Sequence, residues 1–156
     1  MSALLALALA AAPCAVEPEW RNEGVVQLLP ACAPGYTPTL EGVRTALRQA
    51  GRRGELVVGF GRVAQYPWLS SFLARQASAS RHWPEERAAP EGYVTRALMG
   101  MPEFTALFDP AWRIASIVVQ DVRVKPAAEL DLPQGHPLPP DFLLPYDAEL
   151  VVTLVR

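Results

Sequence analysis

Along the last eleven residues, Tyr146 to Arg156, apolar and polar positions alternate. Ala148, Leu150, Val152 and Leu154 fall on one side; Asp147, Glu149, Val151, Thr153 and Val155 fall on the other. This is the period-two pattern of a strand with one face in a core. Residues 113–125 (RIASIVVQDVRVK) read as a longer strand, apolar on both sides as far as Val119, after which Val122 and Val124 alternate with Asp121, Arg123 and Lys125. Two such strands most simply pair antiparallel, bringing acids of the last strand within reach of Arg123 and Lys125.

Upstream the spacing changes to that of helices. Thr37 can cap a helix whose first position is Pro38, with Leu40, Val43, Leu47 and Ala50 on one face and Gly51 as its stop. A second helix starts near Gln65, Tyr66 and Pro67 and runs to about Ser78, with Trp68, Leu69, Phe72, Leu73 and Ala77 on a broad face. Residues 79–90, bracketed by Pro84 and Pro90, read as a loop. A third helix spans about Glu91 to Met101, followed by a short helical turn carrying Phe104, Leu107 and Phe108. Strands are expected over residues 20–29, closed by Pro30, and 55–63. The expected domain is α+β: an antiparallel sheet of three to four strands with two to three helices packed on one face, ordered β-α-β-α-α-β-β, the N-terminal strand at an edge.

The segment 126–145 resists this reading. It carries Pro126, Pro133, Pro137, Pro139, Pro140 and Pro145, yet also Leu130, Leu132, Leu138, Phe142, Leu143 and Leu144. A flexible linker would be polar. The segment is therefore either a stiff interaction arm presenting Leu138, Phe142 and Leu143, or a cover folded back over the sheet.

At the other end, residues 3–12 (ALLALALAAA) form an uncharged Ala/Leu run too short to span a bilayer, which needs about 20 residues. Residues 1–15 read as a signal peptide, cleaved possibly after residue 10, with 16–156 as the single domain. A retained anchor, a core helix, or lipidation of Cys14 are the alternatives, the last disfavoured by Pro13. Export implies a periplasmic or secreted location. There Cys14 and Cys32, the only cysteines, would form a disulfide if cleavage falls before Cys14.

With 156 residues, 51% hydrophobic content and a net charge of −2, the chain can bury a core and lacks the concentrated positive surface that nucleic acid requires. Candidate chemistry is sparse. Gly59, Gly61 and Ala64 match a dinucleotide fingerprint after a strand, but the position about 20 residues on reads Arg81, His82, Trp83 where an acid should stand. A strand bulge explains these glycines better, and no cofactor is expected. His82 precedes Glu85 and Glu86 at metal-ligand spacing, with His136 the only other histidine, but Pro84 interrupts the helix such a site needs. Ser70 and Ser71 lack flanking elbow glycines, and Cys32 has no local signature of a nucleophile. Arg44, Arg48 and Arg52 form a cationic stripe on the first helix that could dock an acidic partner. The functional expectation is a non-catalytic envelope protein (inhibitor, immunity-type or assembly accessory) that binds another protein through the arm or the stripe, with no stable membrane span after leader removal. The alternative is a small secreted hydrolase whose site converges only in three dimensions.

Overall fold

A computed structural model describes residues 13–21, 25–50 and 55–156. The expected leader, up to residue 12, and Arg52 lie outside the described residues. In chain order the elements are β1 (Cys14–Arg21), β2 (Val25–Cys32), α1 (Leu40–Ala50), β3 (Glu55–Arg62), α2 (Pro67–Ala79), α3 (Trp83–Glu86), α4 (Pro90–Met99), α5 (Pro102–Thr105), β4 (Arg113–Pro126) and β5 (Leu143–Val155). The strands make one sheet in the order β1-β2-β3-β5-β4. It has five strands rather than three to four, and among the described residues there are five helices rather than two to three. Every pairing is antiparallel except β2 with β3, which run parallel over Val25–Gln27 and are joined by α1 as a crossover.

The extra strand comes from the start of the chain. Cys14 and Ala15, assigned by sequence to the end of the leader, belong to β1, as do Trp20 and Arg21; the single strand expected over 20–29 is thus split between β1 and β2. Pro30 does not close β2. Beyond Gln27 that strand has only β1 beside it, so a residue without an N–H is tolerated there, as Pro18 is on the edge strand β1. Cys14 and Cys32 sit directly opposite each other in this hairpin and are joined by a disulfide.

The helix α1 begins two residues later than expected: its cap is Thr39, whose hydroxyl accepts from the Gly42 N–H at 2.9 Å, while the carbonyl of Pro38 accepts from the Trp68 indole at 2.9 Å. The 79–90 segment is not wholly loop. Ser80 accepts from the amides of His82 and Trp83 and starts α3, and the buried Trp83 indole donates to the carbonyl of Leu143 at 2.9 Å. Trp83 thereby ties the helical layer to β5.

All the helices pack on one face of the sheet. Val43 and Leu47 of α1, Leu69 and Leu73 of α2, Trp83, Val94, Leu98 and Phe104 join Val26, Leu28, Leu56, Val58, Phe60, Leu150, Val152 and Leu154 in one core. Phe60, Phe104 and Phe108 meet with ring centroids 5.5–6.2 Å apart. The 126–145 segment also belongs to this layer. The Ala127 N–H donates to the Phe142 carbonyl and the Ala128 N–H to the Pro140 carbonyl, closing the loop at its base. Leu130, Leu132, Leu138 and Phe142 pack against the core. It is a folded cover, with Leu143 left exposed.

Two predictions follow from this burial. Val152 is fully buried while Thr153 points to the uncovered face, so Val152→Ala lowers stability by about 1 to 3 kcal/mol and Thr153→Ala by less than about 0.5 kcal/mol in urea melts. Equal losses would place the register of β5 wrongly. Burial also raises the pKa of the Tyr66 hydroxyl, and raises that of Tyr93 against the opposing hydrogen bond with Ser80. In the unfolded chain tyrosines ionise near about pH 10, so above that pH the folded chain holds more protons than the unfolded one. Stability is intact below about pH 10 and falls as pH rises toward the folded-state values; Tyr66→Phe flattens that alkaline fall in urea midpoints.

Candidate functional site

The one charged side chain buried among the described residues is Asp147, 2% exposed. Its position follows from two irregularities. Beyond Gly59 the β3–β5 ladder shifts register through Gly61, which has φ +70 and needs a glycine, and β4 shifts opposite it around Asp121, at φ +52. These shifts turn Arg62 onto Asp147. The Arg62 Nε donates to Asp147 Oδ2 at 2.9 Å, while its two terminal nitrogens lie 2.8 Å from Asp147 Oδ2 and 2.7 Å from Asp121 Oδ2. Asp147 Oδ1 accepts from the amides of Ala64 at 2.8 Å and Ala148 at 2.9 Å. Burial alone would lower the Arg62 pKa; the hydrogen bonds and charges of Asp147 and Asp121 outweigh it and raise it further. The Asp147 carboxylate is thus held by two amides on one oxygen and by the guanidinium on the other. This cluster is a clamp.

The clamp directs the chain into α2, and α2 forms one wall of an open groove of about 750 Å³ on the helical side. Its apolar surface comes from Leu40, Trp68, Phe72 and Met101, and its rim carries Arg75 of α2, Glu103 of α5 and Asp131 of the proline-rich cover. The Arg75 guanidinium stands 5.9 Å from the centroid of the Phe72 ring. Ser71 lies in this groove, whereas neither histidine lines it.

His82 instead lines a separate open cleft of about 500 Å³ with Ser80, Glu86, Tyr93 and Arg96. Glu86 is paired with Arg96, Ser80 is engaged by the α3 amides, and the His82 ring forms no hydrogen bond with another described residue. His136 lines neither space, and Ser70 donates its hydroxyl to the Tyr146 carbonyl. Gly59 lies under the Gln27 side chain and Gly61 forms the bulge, so the fingerprint glycines have structural roles. No three His, Cys, Asp or Glu among the described residues gather as a metal site.

The cationic stripe is partly neutralised on its own helix: Arg44 and Arg48 reach Glu41 at 3.7 and 2.7 Å. Leu138 and Phe142 pack inward, while Leu143 emerges on the opposite face of the sheet. Arg123 lies 3.9 Å from Asp147, as the strand pairing suggested, but Lys125 stands over the Tyr146 ring at 4.4 Å. Sequence reading did not single out Arg62, Trp83 or the groove. Only the glycine pair before Arg62 marked that position, as a bulge.

Comparison with known proteins gives no match: no family model, no curated protein and no solved structure is recognisably similar to this chain. Among the described residues no helix is long and apolar enough to cross a membrane.

The clamp yields a graded prediction. Asp147→Ala leaves the Ala64 and Ala148 amides without this acceptor and Arg62 with Asp121 in place of the buried carboxylate, and lowers stability by about 3 kcal/mol. Asp121→Asn, which tolerates the positive φ, removes only the charge of the exposed pairs with Arg62 and Arg123 and costs less than about 1 kcal/mol. Urea midpoints of the two variants measure the difference, and equal midpoints would show that Asp147 is not the centre of the network.

Proposed function

We propose that this chain is an exported, non-catalytic protein that binds a segment of another protein in the groove between α1, α2, α5 and the proline-rich cover. The observation that carries this reading is the groove's composition: an apolar floor containing Trp68 and Phe72, a rim with both charge signs, and a serine with no histidine beside it. Aromatic and aliphatic surface supplies affinity for a polypeptide, and the rim of Arg75, Glu103 and Asp131 fixes its direction. The nucleophile–base contact that hydrolysis would need is lacking there. The Cys14–Cys32 disulfide suits an oxidising compartment, in keeping with export.

The test uses the tagged chain as bait in extracts of the envelope. Ser71→Arg fills the groove and Arg75→Glu with Glu103→Arg inverts its rim; each is expected to lose the captured partner at unchanged melting temperature. Capture that survives all of these substitutions overturns the groove. Turnover of ester or peptide substrates that disappears in His82→Ala would instead assign a hydrolase to the second cleft.

A further inference from the structure

The wall that α2 gives to the groove continues past the groove's end. Trp68, Ser71, Phe72, Arg75, Gln76 and Ala79 recur at steps of three and four or fewer, so they stand on one stripe of α2, turned away from its buried Leu69, Leu73 and Ala77. Trp68, Ser71, Phe72 and Arg75 line the groove. Phe72 and Arg75, with Gln76 and Ala79, line a smaller depression of about 120 Å³. Gln76 and Ala79 in turn line the His82 cleft. The three hollows therefore follow one another along a single helix and share its side chains at each junction. From Trp68 to Ala79, at 1.5 Å per residue, the stripe is roughly 16 Å long. Its two ends differ in charge. Beside Trp68 the rim carries Glu103 and Asp131; beyond Ala79 stand Arg81 and His82, while Glu86 and Arg96 there neutralise each other. Arg75, Arg81, Glu103 and Asp131 form no ion pair with another described residue. The large apolar side chains Leu40, Trp68, Phe72 and Met101 gather at the acidic end.

We infer that the three hollows form one track for an extended polypeptide segment of about five residues, basic at one end, apolar beside the basic residue, and acidic at the other end. The inference rests on the groove being a protein-binding site and names the chemistry of the partner. An extended chain advances about 3.3 Å per residue, so about five residues span the track. The basic side chain meets Glu103 and Asp131, its apolar neighbour enters between Leu40, Trp68, Phe72 and Met101, and the acidic end reaches Arg81. Gln76, exposed midway, offers both a donor and an acceptor to the backbone of the segment. An amphipathic helix would need apolar anchors along its whole length, and beyond Phe72 the α2 stripe carries Arg75, Gln76 and Ala79. A segment of one charge sign, nucleic acid included, would meet its own sign at one end of the track.

Random heptapeptides displayed on phage and selected on the disulfide-bonded chain supply the probe. The selected sequences are expected to carry Lys or Arg toward one end, a large apolar residue beside it, and Asp or Glu toward the other, about tenfold above the unselected pool. One selected peptide, acetylated and amidated to remove its terminal charges, is then titrated by fluorescence anisotropy. Ala79→Arg, which fills the middle hollow, and Arg81→Glu, which inverts the cationic end, are each expected to raise its Kd at least about tenfold. Exchanging the acidic end of the peptide for lysine restores binding to Arg81→Glu and abolishes it with the parent, a reversal that loss of folding could not produce. Selection without the bipolar pattern overturns the track. So does a peptide that Ser71→Arg displaces while Ala79→Arg and Arg81→Glu leave it bound, a result under which the groove itself still stands. A peptide unmoved by all three substitutions overturns the groove together with the track.

Discussion

The pairing of Arg62 with Asp147 is the contact on which the rest of the arrangement turns. It joins β3 to β5, and through Asp121 to β4, where the pairing of these strands leaves regular register, and it does so with the one buried charge among the described residues. A buried carboxylate persists only when its hydrogen-bonding capacity is filled. Here the filling groups are the Arg62 guanidinium and the amides of Ala64 and Ala148, so satisfying Asp147 also fixes the path of the chain from β3 into α2. The exit direction of α2 places Trp68, Phe72 and Arg75 along the groove. One electrostatic requirement thus reaches the candidate site through a single turn, Val63–Gln65.

The second constraint is that five strands have one helical layer. The helices and the proline-rich cover fill one side with a continuous aromatic and aliphatic core, and the cover adds Leu130, Leu132, Leu138 and Phe142 where no helix reaches. That explains why a segment rich in proline is also rich in leucine. Proline lowers the entropy lost when an irregular segment is held in place, and the leucines hold it. The long edge strand β4 is interrupted by register shifts near Ser116 and Arg123, and such bulges discourage uncontrolled edge-to-edge pairing.

What could be read from the sequence tracks the range of the interaction concerned. The alternation of β5, the apolar face of α1 and the one-sided helical layer are local patterns, and they were legible. The antiparallel pairing of β4 with β5 followed from two adjacent strands. β1 was hidden because Pro18 and the neighbouring Ala/Leu run of the sequence make its residues read as a processing region, whereas its strand character comes from pairing with β2. The short helix α3 was hidden by Pro84, although proline is well suited to a first turn. Arg62 was invisible because its partner Asp147 lies 85 residues away in sequence; Gly61 marked the bulge without naming what the bulge positions. The groove combines residues from α1, α2, α5 and the cover, and no spacing rule connects them.

The disulfide completes the logic of the N-terminal edge. Within the sheet β1 pairs only with β2, and β2 in turn meets β3 over three residue pairs, so the hairpin is the least anchored part of the sheet. A bridge across 18 residues restricts the unfolded hairpin by about 3 kcal/mol in the entropic model, which is comparable to burying one large side chain. It secures β1 where hydrogen bonds to a second neighbour are missing. Val16 can then stay buried against the α1 side, and Glu17 and Glu19 stay on the opposite face of the same strand. A reduced chain would loosen that edge first, while Asp147 and the core around Val152 would keep the other three strands together.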